Sequence, residues 1–204
     1  ITTFADLKQL TLFVSKEGIV TYFQWLKADY GFDEAKVKPY TFNAQPFLAD
    51  KRSAMQGYVT SEPFAVEKQA KFKPLVFLLA DQGYPPYAQT IVITRRTAQD
   101  KPDMVRKFLQ ATAEGWKSYL KHPAPGNALI KQANPQMEDE LMAYGLGKMR
   151  EYALVTGGEA KTQGILTMAD ARWKQTFDFM AGAGLVKRDL DLVYTATPWE
   201  CHIV

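Results

Sequence analysis

Glu62 is the most exposed chemical question in the sequence. The run Gly57-Tyr-Val-Thr-Ser-Glu-Pro-Phe64 has β-type residues and ends in a hydroxyl pair, a carboxylate and a proline. A carboxylate that meets a donor amine makes a strong, directional contact, whereas its burial without a partner is costly. Three further groups have residue types suited to binding. Ser15-Lys-Glu-Gly18 lies between a strand-like run and a helical pattern, so its free backbone N–H groups can receive an electron-rich ligand atom or simply take Ser15 as an N-cap. Asn43, with Gln45 and Pro46 behind it, can face a polar ligand or close a turn through its own backbone. Tyr84 and Tyr87 flank Pro85-Pro86, a stiff loop that suits a flat heterocycle and equally suits packing.

Catalytic patterns are absent. The sequence contains no GxSxG elbow, no HExxH and no GxxxxGK[ST] phosphate loop. Its two histidines, His122 and His202, are expected to face solvent, and the lone Cys201 allows neither an internal disulfide nor a thiolate metal cluster. Glu138-Asp-Glu140 sits at a predicted helix start, where it complements the helix dipole. No catalytic residue, cofactor or metal is assigned.

Composition narrows the partner classes. With 47% hydrophobic and 23% charged residues in 204, the chain can build a sizeable core. Its 25 basic and 22 acidic residues are spread along the length without the basic stripe that a phosphate backbone demands, so no nucleic-acid partner is expected. The longest apolar run, Pro74 to Ala80, has strand length and falls far short of a membrane span of roughly 18 residues.

The elements that must position these groups alternate. Residues 10–14 read as a strand, followed by a helical stripe at Ile19, Tyr22, Phe23, Leu26 and Tyr30 that Gly31 stops. A second strand is predicted over 37–42, a helix from Pro46 through Met55, a third strand in the Gly57 run, a short helix at 64–66 and a fourth strand over 75–80. Strand and helix in alternation predict an α/β fold with a mostly parallel sheet, whose ligands bind beyond the carboxyl ends of the strands. Those ends are 15–18, 42–45, 60–62 and 81–87. From Ala88 the pattern becomes helical after one more β-rich run at 89–94, with helices predicted at 102–120, 135–152 and 168–181, the last opened by a Thr167/Asp170 capping pattern. Amphipathic helices there lack a sheet to cover.

Four segments in order, ITTFADLKQLTLFVSKEG, YTFNAQPFLADKRSAMQGYVTSEPF, LLADQGYPPY and ADARWKQTFDFMAGAGL, resemble the substrate-binding proteins of ABC importers related to the thiamine-pyrimidine-precursor and nitrate/sulfonate binders. The resemblance runs from residue 1 to about 192. It implies a periplasmic binding protein type II architecture, with 5–87 as one complete α/β lobe and 88–204 as the helix-rich return of the other. Family members begin with roughly a hundred residues that build the first lobe's own sheet, a length in keeping with ordinary domain size; this chain lacks them. Gln9-Leu10 and the tail 197–204 depart from the family pattern.

Residue by residue, the resemblance places Ser15, Gly18, Asn43, Ser61, Glu62 and Tyr84 at the ligand. It also implies that Glu62 accepts from an exocyclic amine, as in aminopyrimidine binders. The implied function is capture of a small nitrogen-containing or aromatic metabolite, pyrimidine-like or of the nitrate/sulfonate type, by a monomer that delivers it to an ABC permease. The implied location is periplasmic, or anchored by lipid outside the cytoplasm. The alternatives on the same fold are a periplasmic sensor lobe and an enzyme of thiamine-pyrimidine synthesis. The enzyme branch uses a cysteine-rich motif and an active-site histidine, neither of which this sequence contains.

Overall fold

A computed structural model describes residues 1–189, which divide into two compact units. The first comprises Ile1–Pro85 and the stretch beginning at Lys174, and the second comprises Pro86–Trp173.

The first unit is built on a three-stranded parallel sheet in the order β2-β1-β3. Strand β1 (Thr11–Val14) is central, with Leu12, Phe13 and Val14 all buried, the continuous apolar run expected of a parallel strand covered on both faces. Strands β2 (Val37–Pro39) and β3 (Ser53–Met55) flank it, Leu12 lying opposite Val37 on one side and Ala54 on the other. The ladder continues past both outer strands, because Tyr40 donates its backbone N–H to Val14 at 2.9 Å and Gln56 donates to Phe13 at 2.9 Å. Those two bonds bring the residues that follow β2 and β3 to the carboxyl end of β1.

Helices cover the sheet. Ser15 caps α1 (Lys16–Ile19), and α2 (Tyr22–Tyr30) follows, burying Phe23, Trp25 and Leu26 against Phe4, Leu10, Leu12 and Phe32. Gly31 ends α2 as the sequence predicts: at φ 68° it is left-handed, and its N–H reaches the Leu26 and Lys27 carbonyls. Next come α3 (Gln45–Ala49), with proline in its first turn, and α4 (Glu62–Ala70).

The third strand is not where the sequence pattern places it. Helix α3 stops at Ala49, and a turn follows in which Asp50 Oδ1 accepts from the Arg52 N–H at 2.9 Å while the Ser53 hydroxyl donates to the Asp50 carbonyl at 2.6 Å. Side-chain competition for backbone groups thus breaks the predicted helix and releases 53–55 to pair with β1. The Gly57 run is a loop leading into α4. The runs at 75–80 and 89–94 are also not strands: β propensity produces a ladder only where a neighbouring strand supplies partners, and none pairs with them among the described residues.

The second unit is helical: α5 (Arg95–Asp100), α6 (Pro102–Lys121), α7 (Ala124–Ala133), α8 (Asp139–Glu151) and α9 (Ala160–Gln163). Its buried residues include Val105 and Ala113 from α6 and Met142 and Leu146 from α8. Phe108 of α6 is 59% exposed. Tyr119 of α6 donates its hydroxyl to Asn127 Oδ1 of α7 at 2.9 Å. Helix α8 starts at Asp139 and not at Pro135, because Asn134 accepts from the Met137 N–H at 3.0 Å and holds the intervening residues in a turn. The last helix, α10 (Asp170–Gly182), opens in the second unit and ends in the first. Thr167 does not cap it: its hydroxyl donates to the Gln163 carbonyl at 3.1 Å.

Candidate ligand-binding site

Three chain exits meet at the carboxyl edge of the sheet, where the polar groups of the first unit gather. After β1, the buried Ser15 accepts the Gly18 N–H on its Oγ at 3.1 Å, which makes it the N-cap of α1. The Ser15 N–H itself points to β3's exit and donates to Gln56 Oε1 at 2.6 Å. The same oxygen accepts the Tyr22 hydroxyl at 2.7 Å. Gly18 lies against this pair so closely that a Cβ there would stand 2.7 Å from the Tyr22 ring and 2.8 Å from Gln56 Oε1. Only glycine leaves room for that contact.

Beside this knot sits Glu62, in the first turn of α4, where the helix dipole favours a carboxylate. Its Oε2 accepts the Tyr58 N–H at 2.8 Å and the Ser61 hydroxyl, and its Oε1 accepts the Tyr40 hydroxyl at 3.3 Å. Each oxygen therefore already has a protein donor, and the carboxylate ties the loop 58–61 to β2's exit. Burial pushes the Tyr40 phenol up to about 12, and the neighbouring Glu62 charge adds to the effect.

Tyrosines frame the same edge. Burial raises the Tyr22 phenol well above its ordinary range, with smaller contributions from the phenols of Tyr84 and Tyr58. Tyr84 is half-buried, its own phenol raised by burial, and its ring packs on Trp25 at 5.2 Å and Phe179 at 5.8 Å. Tyr58 is 60% exposed.

The sequence-selected residues thus separate. Ser15, Gly18, Ser61 and Glu62 come together, and Tyr84 stands near them through Tyr22. Asn43 is exposed and its Oδ1 accepts the Gln45 N–H at 2.9 Å, the turn chemistry that opens α3. Tyr87 belongs to the second unit, where its hydroxyl accepts the Ala169 N–H at 2.7 Å and the Arg172 guanidinium lies 4.1 Å above its ring. His122 is exposed, as expected, and Cys201 and His202 lie outside the described residues. Sequence reasoning missed Gln56, Tyr22 and Tyr40. Tyr22 looked like one more member of an apolar stripe, and Gln56 becomes a strand exit only once β3 is placed at 53–55.

The three-stranded parallel sheet of the first unit, with helices packed on it, makes this an α/β protein compatible with a periplasmic-binding-protein-like fold. The chain belongs to the family described as NMT1/THI5 like, which matches residues 1–125. It is similar to the riboflavin-binding protein RibY of Chloroflexus aurantiacus, at 25% identity over 146 residues that cover 71% of this chain and 41% of that protein. The chain therefore spans less than half the length of that relative. No solved structure matches it. Among the described residues no helix is long and apolar enough to cross a membrane.

Proposed function

We propose that the chain carries part of the ligand cleft of a solute-binding component of an ABC importer, which captures a small nitrogen-containing aromatic metabolite outside the cytoplasmic membrane and presents it, as a monomer, to a permease. One observation supports this most: hydrogen-bonding groups from the exits of all three parallel strands meet at one edge, the address at which open α/β sheets take ligands, and tyrosine rings stand beside them. In this reading residues 5–87 form the α/β lobe and 88–204 return to a second lobe. Ser15, Gly18, Ser61 and Glu62 shape the cleft floor, Tyr84 is its aromatic flank, and Asn43 stands at its rim.

A flat heterocycle suits this surroundings better than nitrate or a sulfonate. The Glu62 carboxylate would repel an anion, whereas phenol rings stack on a conjugated ring. The relative's name makes riboflavin the first probe. A thermal-shift screen of the complete chain against riboflavin, aminopyrimidines, nitrate and alkylsulfonates tests the reading. A ligand at about a hundred times its Kd stabilises a one-site protein by roughly 2.7 kcal/mol, and the bound compound should be recovered chemically unchanged. No stabilisation by any of them, or recovery of a product, would sink it.

A further inference from the structure

We propose that Gln56 is a specificity-determining hydrogen-bond donor of this site, and that the ligand it selects is a neutral flat heterocycle presenting a carbonyl edge. The inference rests on the solute-binding reading above and deepens it.

The orientation of the Gln56 amide is settled by its neighbours. A backbone N–H can only donate, so the atom facing the Ser15 N–H at 2.6 Å is the amide oxygen. The Tyr22 hydroxyl takes the second lone pair at 2.7 Å. Turning the amide over would set its NH2 group against the Ser15 N–H, donor against donor. Both lone pairs of Oε1 are therefore engaged, and Nε2, which has no hydrogen-bond partner among the described residues and is not a buried atom, keeps its two N–H bonds available. The side chain is half-buried and rooted at the end of β3, so the donors are held in place. Gly18, pressed against both Tyr22 and Oε1, keeps the pair together.

The polarity of the site follows from comparing this group with Glu62. The Glu62 carboxylate is the obvious acceptor, yet both of its oxygens already receive donors from Tyr40, Tyr58 and Ser61. Those three donors occupy most of the carboxylate's roughly four acceptor positions, whereas Gln56 Nε2 keeps a donor pair near the phenols of Tyr22, Tyr58 and Tyr84. A ligand with a carbonyl edge satisfies that pair, while one presenting an amine there sets donor against donor.

Gln56→Glu tests this directly. Glutamate retains one oxygen for Ser15 and Tyr22 and replaces Nε2 with an acceptor of the same shape. Riboflavin, whose ring edge carries two carbonyls, and 4-amino-2-methylpyrimidine, whose exocyclic nitrogen donates, serve as probes, titrated by fluorescence quenching and calorimetry into the complete chain. The wild type should bind riboflavin more tightly than the aminopyrimidine, and Gln56→Glu should keep its Tm within a few degrees while losing at least about ten-fold in riboflavin affinity. If Gln56→Glu does not fold, Tyr22→Phe releases one anchor and should weaken riboflavin a few-fold without affecting secondary structure. Riboflavin affinity indifferent to both substitutions overturns the role of Gln56 and leaves the solute-binding reading intact. Preference of the wild type for the aminopyrimidine overturns the donor polarity alone. Failure of both probes overturns the ligand class proposed for Gln56, and the wider solute screen then decides whether the chain binds solutes at all.

Discussion

At the residue scale, Glu62 turns out to be a fastener. Its oxygens hold the Tyr58 N–H, the Ser61 hydroxyl and the Tyr40 hydroxyl, so the loop before α4 depends on an anion that accepts at both ends. Glu62→Gln leaves one acceptor oxygen and turns the other end into a donor facing donors. It should destabilise the chain by about 1–3 kcal/mol in urea denaturation, the usual cost of an unsatisfied partner. Unchanged stability would show the carboxylate to be dispensable to the loop. The phenols nearby make a second prediction. Tyr22, Tyr40 and Tyr84 all hold their protons beyond the ordinary range because burial penalises phenolate, whereas unfolded tyrosines ionise near about 10. Above that pH the unfolded chain has released protons that the folded chain retains. The stability these groups contribute is fully present below pH ~10 and is lost as pH rises toward about 12 at Tyr40. Circular dichroism and phenolate absorbance followed together should show unfolding and late tyrosine ionisation in one step. Normal ionisation of every tyrosine in folded protein would contradict the burial of these rings.

At the element scale, the first unit is positioned by its punctuation. Ser15 starts α1 and Gly31 stops α2, and between them the helices bury Phe23 and Trp25 and bring Tyr22 to Gln56. Gly31→Ala forces a Cβ into the left-handed region and should cost about 1 kcal/mol in thermal or urea unfolding, while leaving open space undisturbed, since nothing lies within 4 Å of the added carbon. A neutral or stabilising result would mean that the α2 end rearranges. Turn chemistry had the opposite effect on β3. Asp50 and Ser53 capture backbone groups that a helix needs, and without that capture 53–55 reads as helix.

At the scale of the whole molecule, two units with separate buried clusters should respond separately. Phe23 is fully buried and touches the cluster of β1, α2 and Phe4, so Phe23→Ala should cost about 3–5 kcal/mol. Hydrogen exchange should then accelerate in β1 and α2 far more than in α6 and α8, whose buried residues are Val105, Ala113, Met142 and Leu146. Equal acceleration everywhere would make the chain one cooperative body.

Local signals by themselves determined the α/β class, β1, the stop at Gly31 and the long helix α6. These follow from hydrophobic period and capping residues, which act over a few neighbours in the chain. Only the tertiary structure decided which β-rich runs become strands, because a ladder needs a partner distant in sequence. It moved β3 to 53–55 and left 75–80 and 89–94 without one. It also decided what each polar group faces: Glu62 inward onto Tyr40 and Tyr58, Asn43 onto its own turn, and Gln56 fixed by Ser15 and Tyr22. Hydrogen-bond polarity at a site depends on which donors and acceptors remain after the protein has satisfied itself, and that remainder exists only once the chain has folded.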